Sequence, residues 1–369
     1  SMIVNKVTDL IGNTPLFEIK MKNNDWKVFL LLEKFNPGGS MKDRMALNMI
    51  EQAEKDGRLK PGGTIIESSS GNTAIGLAIA SAIKGYKFIA VVDHHASKEK
   101  IDMIKAYGGE IVVVGDGYKA NEVAVVEREK TAKRMSEEME NAFFPNQADN
   151  FDNRSAYTNT LAKELINELG TIDSFYAAIG TGGSSCGTAI GLKEHNQSTT
   201  INVVEPVGSI LFGGKGQPYF QSGTGNPIDA PIPKIIDYEI IDNNYFAKDD
   251  EAFNTCRYFA KKYGLLIGGS AGGVIYKALE DINRKTGSGN AVILLCDGGE
   301  KYLNNIFNDE WMINNNLINE EVAKHKEQTK ELADKLAELE KEQFDMIVKL
   351  PNLPHSSVPE GRVAEDNEV

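Results

Sequence analysis

Cysteine is scarce in this chain of 369 residues: three are present, Cys186, Cys256 and Cys296, far apart and with no CxxC pair. An odd number without close spacing argues against a disulfide framework and a zinc knuckle, and it makes the cytoplasm the expected compartment. Long apolar runs are missing as well. No stretch reaches the roughly 18 uninterrupted apolar residues of a membrane span, and the start, SMIVNKVTDLIGNTPL, lacks the basic-then-apolar layout of a signal peptide. Clustered positive charge is also absent. The formal net charge is −13, and phosphate contacts need concentrated Lys and Arg, so nucleic acid is not an expected partner.

What is present is an average globular composition, 41% hydrophobic and 25% charged, in a chain long enough for two domains with substantial cores. A soluble protein is expected. Part of the acidity is local: from Glu320 to Val369 thirteen Asp or Glu stand against seven Lys or Arg. That tail opens with Leu332, Leu336, Leu339 and Phe344 near helical spacing amid alternating charges, then turns Pro-rich and polar. A helix followed by a disordered end, outside the catalytic body, is the expectation.

Upstream, strand-like apolar runs alternate with helix-period segments, the pattern of parallel sheets covered by helices. Strands are expected at 28–34, 64–68, 88–93, 110–114, 175–179, 201–204 and 291–295. Helical runs fill the gaps, and several end in glycine, as a left-handed C-cap requires. The fold class is α/β.

In open parallel sheets ligands bind beyond the carboxyl ends of the strands, so glycine-rich stretches just after strands are read first. The sharpest is FYAAIGTGGSSCGTAIGLKEH, where Gly180, Thr181, Gly182, Gly183 and Ser184 separate a strand from a helix. Backbone N–H groups there can converge on an anion, and the helix start adds partial positive charge, which makes a phosphate cup. The loop lacks the lysine of GxxxxGKS/T, and GxGxxG fails at Ser185, although Glu205 ends the next strand where a ribose-binding acid would sit. A nicotinamide enzyme stays open at this point. A second loop, SSSGNT, delivers Ser69, Ser70, Gly71, Asn72 and Thr73 to a helix start. Hydroxyls and amides there suit a small carboxylate, and an ordinary N-cap cluster accounts for them equally well. In the third, FNPGGSMKDR, Lys42 follows a Pro-Gly-Gly-Ser turn at a helix start. A cation is disfavoured at the positive end of a helix, and a neutral amine is what forms a Schiff base with an aldehyde. Pyridoxal 5′-phosphate carries both an aldehyde and a phosphate.

With these loops in hand, the chain resembles the cysteine synthase and cystathionine β-synthase family of pyridoxal-phosphate enzymes. The likeness runs from about Val7 to Trp311 through DLIGNTPL, NPGGSMKDR, SSSGNT, GTGGS, GGSAGG and GGEKYL in the family's order. It implies the fold type II architecture, similar to the tryptophan synthase β subunit: two doubly wound α/β domains. The smaller, mobile one would span 36–148, the larger 1–35 and 149–317, with 318–369 as the tail. The resemblance further implies a homodimer and a set of roles. Lys42 would hold the coenzyme and shuttle the Cα proton; Asn72 would bond the ring oxygen; Gly180 to Ser184 would hold the phosphate. Ser69, Ser70, Gly71 and Thr73 would bind the substrate carboxylate, with Gln147 closing on it. The implied reaction is β-replacement on O-acetylserine, O-phosphoserine, serine or cysteine through an aminoacrylate, with cysteine lyase activity as an alternative outcome.

Three departures bear on specificity. Gly298, in CDGGEKYL, stands where the family places a serine facing the pyridine nitrogen, and leaves water, Asp297 or Cys296 as substitutes. The family's GIGAGF loop reads SGTGNPIDAPIP here. The stretches GSMKDR, VVD and GSILFG resemble the branch that joins O-phosphoserine to glutamate to make a 2,3-diaminopropionate precursor. His94 and His95 read as polar loop residues, and no metal is expected.

Overall fold

The computed structural model describes residues 2–117 and 124–321. The tail from 322 onward, expected as a helix with a disordered end, lies outside them. Among the described residues ten strands form two sheets. In chain order they are β1 (Leu16–Lys20), β2 (Asp25–Leu32), β3 (Thr64–Ser68), β4 (Lys87–Val92), β5 (Glu110–Val113), β6 (Ala142–Phe143), β7 (Ser174–Ala178), β8 (Thr200–Pro206), β9 (Asn243–Ala247) and β10 (Ser288–Leu295). The larger sheet has the order β1-β2-β10-β7-β8-β9, parallel except for the antiparallel edge strand β1. The smaller, β5-β4-β3-β6, is parallel throughout.

Strands buried on both faces read as continuous apolar runs, and the two faces of these strands feed different cores. In β10, Val292 and Leu294 join one cluster while Ala291, Ile293 and Leu295 join another. In β4, Phe88, Ala90 and Val92 share the first cluster with Val292, and Ile89 and Val91 pack on the outer face of the small sheet. One apolar layer thus connects both sheets. The helices within it include α1 (Lys42–Asp56) and α2 (Asn72–Lys84), which approach so closely at Gly76 that a Cβ there would lie 3.1 Å from Ala46 Cβ and 3.2 Å from the Lys42 carbonyl oxygen. This contact brings the helix start bearing Lys42 beside the one bearing Asn72.

Each of the seven expected strands is present with its ends shifted by at most a few residues. Three were not expected: β1 and β9 are half-exposed edge strands, and β6 has two residues. The helical periodicity of NRSAYTNTLAKELINELG, residues 153–170, reads as one run, but it forms two helices. Helix α3 (Lys98–Ala106) and helix α4 (Val125–Glu138) precede them, and the break falls at Thr160 (φ −120°, ψ −69°) between α5 (Phe151–Asn159) and α6 (Leu161–Leu169). Thr160 Oγ1 bonds back to the Ala156 carbonyl at 2.7 Å and accepts from Arg44 at 3.1 Å, a side-chain competition that ends the first helix. Downstream lie α7 (Gly183–His195), α8 (Asp249–Tyr263), α9 (Gly269–Asn283) and α10 (Asp309–Asn314).

A buried ion cluster fixes the base of α1. Arg44 pairs with Glu33 at 2.6 Å and Glu164 at 2.7 Å, and Glu33 and the Arg44 side chain are almost fully buried. Glu33 also accepts from Thr14 Oγ1, Glu164 from the Asn13 N–H, and Asn36 from the Gly12 N–H, so the IGNTPL segment is strapped to the same cluster. Removing one partner of a buried ion pair strands the other. Arg44→Leu is therefore expected to cost roughly 3–5 kcal/mol of stability, read from denaturant unfolding; an unchanged midpoint would show that the cluster is energetically idle.

Candidate active site

Lys42 is the first residue of α1 and only 5% exposed. Its loop is stitched to the end of β10. Met41 N–H bonds the Cys296 carbonyl at 2.8 Å, Gly298 N–H meets the Gly39 carbonyl at 3.4 Å, and Ser40 bridges Asp297. Ser40 Oγ accepts the Lys42 N–H at 3.1 Å. The Lys42 amine itself has no hydrogen-bond or ion-pair partner among the described residues.

Asn72 opens α2, and its carboxamide lies between two groups that arrive from beyond β10. Its Nδ2 donates to Asp297 Oδ2 at 3.0 Å, and Lys301 Nζ donates to its Oδ1 at 2.6 Å. Tyr302 Oη donates to the same Asp297 oxygen at 2.6 Å. Three residues earlier, Ser69 Oγ accepts from the N–H groups of Gly71 and Ala74, which caps the helix start. Thr73 Oγ1 donates to Gln147 Oε1 at 2.8 Å, and Gln147 N–H is held by Glu67 at 3.2 Å. Ser70 is buried beside them.

The Gly180 to Ser184 loop runs from β7 into α7. Gly182 is its N-cap at φ +86°, where a Cβ would also meet Ile236 Cγ1 at 2.6 Å. A Cβ on Gly183 would stand 2.1 Å from Asn153 Oδ1. Thr181 Oγ1 accepts from Gly183 N–H and from Asn153 Nδ2, both at 3.2 Å, and Asn153 Nδ2 also reaches the Gln147 carbonyl at 2.9 Å. Asn153 thereby ties the glycine loop to the Thr73–Gln147 pair. No acceptor among the described residues takes the N–H groups of Thr181, Gly182, Ser184 and Ser185.

The three loops singled out in the sequence thus meet at one place. At Gly298 the picture differs in direction: a Cβ there would point at Glu300 and Lys34, while Asp297 sends its carboxylate to Asn72. Cys296 Sγ faces Ser270 at 3.1 Å, and burial pushes its thiol up. Sequence reading did not single out Lys301, Tyr302, Asn153 or Asp43. Lys301 and Tyr302 had a signal in their place in GGEKYL and Asp43 in NPGGSMKDR, while Asn153 had none. Glu205 is buried, and its carboxylate accepts from Ser209 Oγ and the N–H groups of Leu211 and Phe212. It braces a loop, which removes the ribose-binding role that a nicotinamide enzyme would give it.

Asp43 is the second unusual group. Burial pushes its carboxyl up to about 7, against the pull of the Gly38 N–H at 2.6 Å and of Lys301, and its other oxygen has no hydrogen-bond partner.

A family profile described as "Pyridoxal-phosphate dependent enzyme" matches residues 7–297. A protein of Sinorhizobium fredii named "Putative cysteine synthase" is 48% identical over 87% of this chain and 96% of its own length. Among solved structures, a hydrogen sulfide-producing enzyme from Fusobacterium nucleatum superposes with a TM-score of 0.75 at 37% identity, covering 82% of this chain and 99% of that one. The O-acetylserine dependent cystathionine beta-synthase of Helicobacter pylori gives 0.76 at 34% identity, covering 82% and 98%. The chain belongs to the pyridoxal-phosphate dependent enzyme family, with the fold type II architecture, and is an enzyme of the cysteine synthase type. Its residues fit that coenzyme: a buried amine without a partner among the described residues, and a loop in which the N–H groups of Thr181, Gly182, Ser184 and Ser185 are free for a phosphate, with glycine required at 182 and 183 because a Cβ would strike Ile236 or Asn153.

Two outcomes are expected here. Gly183→Ala overpacks against Asn153 and should cost about 1–3 kcal/mol, seen as weaker coenzyme binding in a spectrophotometric titration; wild-type affinity would show that the loop can yield. For Asp43, the folded protein keeps a proton that the unfolded chain releases above its ordinary value of 3.8. Its contribution to stability is therefore full below that pH and lost as pH rises through about 7. Asp43→Asn should flatten the fall in stability over that window, measured by unfolding at a series of pH values; identical slopes would refute the assignment.

Proposed function

We propose that this enzyme catalyses β-replacement on a serine-derived amino acid, most simply forming cysteine from O-acetylserine and sulfide. The observation that carries the reading is the buried, unpaired Lys42 amine at the junction of the three loops. Lys42 Nζ would be the point of attachment of the coenzyme and, once released, the base that takes the substrate's Cα proton and later returns it. Pyridoxal phosphate, when bound, supplies the electron sink that stabilises negative charge at Cα. The N–H groups of the Gly180–Ser184 loop would hold its phosphate, Asn72 Nδ2 its ring oxygen, and the backbone of Gly298 would border the ring. Ser69, Ser70, Gly71 and Thr73 would bind the substrate carboxylate at the start of α2, and Gln147, already bonded to Thr73, would close over it and exclude water. The closing body would be residues 36–148, which carry the small sheet, against 1–35 and 149–317. The N-terminal segment exposes Met2, Ile3, Val7 and Leu10, which supports a homodimer that covers them. Three free cysteines suit a reducing cytoplasm.

Similarity to the Fusobacterium enzyme supports a second reading, a lyase that releases sulfide from cysteine. O-phosphoserine with glutamate, giving N-(2-amino-2-carboxyethyl)-glutamate, is the third reading, supported by GSMKDR and GSILFG. The test supplies O-acetylserine, O-phosphoserine and cysteine separately, each with and without sulfide or glutamate, and identifies products by mass spectrometry. Cysteine from O-acetylserine and sulfide supports the first reading. Pyruvate and sulfide from cysteine alone, or a glutamate adduct, would replace it. Lys42→Ala should abolish turnover and the visible coenzyme band, and a surviving band would remove Lys42 from its role.

A further inference from the structure

We infer that Lys301 and Asp297 are positioning residues that lock the Asn72 carboxamide in one of its two orientations, and so decide which Asn72 atom meets the coenzyme. The inference rests on the assignment of Asn72 to the ring oxygen made above. An asparagine amide has an acceptor end and a donor end of nearly equal size, so half a turn exchanges them at almost no steric cost. Here the two ends face groups of opposite character. Lys301, which as an ammonium only donates, lies 2.6 Å from Oδ1, and the Asp297 carboxylate, which only accepts, lies 3.0 Å from Nδ2. Reversal would set ammonium against NH2 and carboxylate against carbonyl, exchanging two charge-assisted hydrogen bonds for two repulsions.

Both arms of this clamp are anchored. Lys301 Nζ also donates to the Gly38 carbonyl at 3.3 Å, in the loop that carries Lys42, and Tyr302 Oη holds the Asp297 oxygen at 2.6 Å. Of the two Nδ2 hydrogens, one goes to Asp297. The other is left as the donor for an oxygen on a ligand, while Oδ1 is capped by the lysine. An unclamped amide would present donor and acceptor in turn, and a phenolic oxygen meeting the acceptor end would be repelled.

The test compares the coenzyme-loaded wild type with Lys301→Met, Lys301→Arg, Asp297→Asn, Asn72→Ala and the Lys301→Met/Asn72→Ala pair. Two quantities are read, the position of the visible coenzyme band and the coenzyme dissociation constant by titration. Lys301→Met should shift the band and weaken binding about fivefold, the worth of one hydrogen bond. Lys301→Arg, whose head group also only donates, should restore both. Asp297→Asn, close in shape but able to donate, should shift the band independently, so the answer survives a variant that fails to fold. The double variant should bind no more weakly than Asn72→Ala alone, because the clamp acts through that amide. Wild-type band and affinity in both Lys301→Met and Asp297→Asn, alongside a clear loss in Asn72→Ala, would overturn the clamp alone, as would additive losses in the pair. A wild-type Asn72→Ala would overturn the Asn72 assignment and the clamp with it.

Discussion

Everything at this site depends on keeping one amine buried without an ion-pair partner. A buried lysine ordinarily finds a carboxylate, and two are close in the chain or in space. Both are occupied. Asp43 gives one oxygen to the Gly38 N–H and holds its proton to about 7, so near neutrality it is only partly an anion. Asp297 is shared between Asn72 and Tyr302. Cys296, within electrostatic reach of Lys42, is kept neutral by burial. The neighbours are thus arranged so that no fixed anion claims Lys42 Nζ, which leaves it available to an aldehyde.

The same economy explains where glycine is required. At Gly182 the backbone takes a left-handed turn, and at Gly183 the side chain of Asn153 occupies the space of a Cβ. Asn153 must come that close because it links Gln147 to Thr181. One carboxamide thereby bonds both the loop suited to a phosphate and the pair suited to a substrate carboxylate.

Much of this was legible in the sequence, for physical reasons. Strands β4, β7 and β10 carry unbroken apolar stretches because both faces are buried, and the helix ends at Gly57, Gly85 and Gly264 announced themselves by the need for positive φ. Edge strands β1 and β9 were not legible, since half-exposed residues carry no apolar signal. The split at Thr160 depends on Arg44, 116 residues away in the chain, and local periodicity is blind to such a partner. Lys42, Asn72 and the Gly180 loop stood out because glycine, serine and asparagine next to helix starts have a local meaning. Lys301 and Asp297 were visible only as members of CDGGEKYL, and nothing local showed their contact with Asn72, 229 and 225 residues earlier.

The strand order carries a consequence for synthesis. Among the described residues β10 is the last strand made, yet it lies between β2 and β7 in the middle of the larger sheet. Until residues 288–295 leave the ribosome, the early and late parts of that sheet have no common neighbour to pair with, whereas the small sheet, complete by Phe143, can already form. The larger sheet is therefore completed by an insertion rather than an addition, and the half-made protein must hold two unpaired strand edges in solution until the gap is filled.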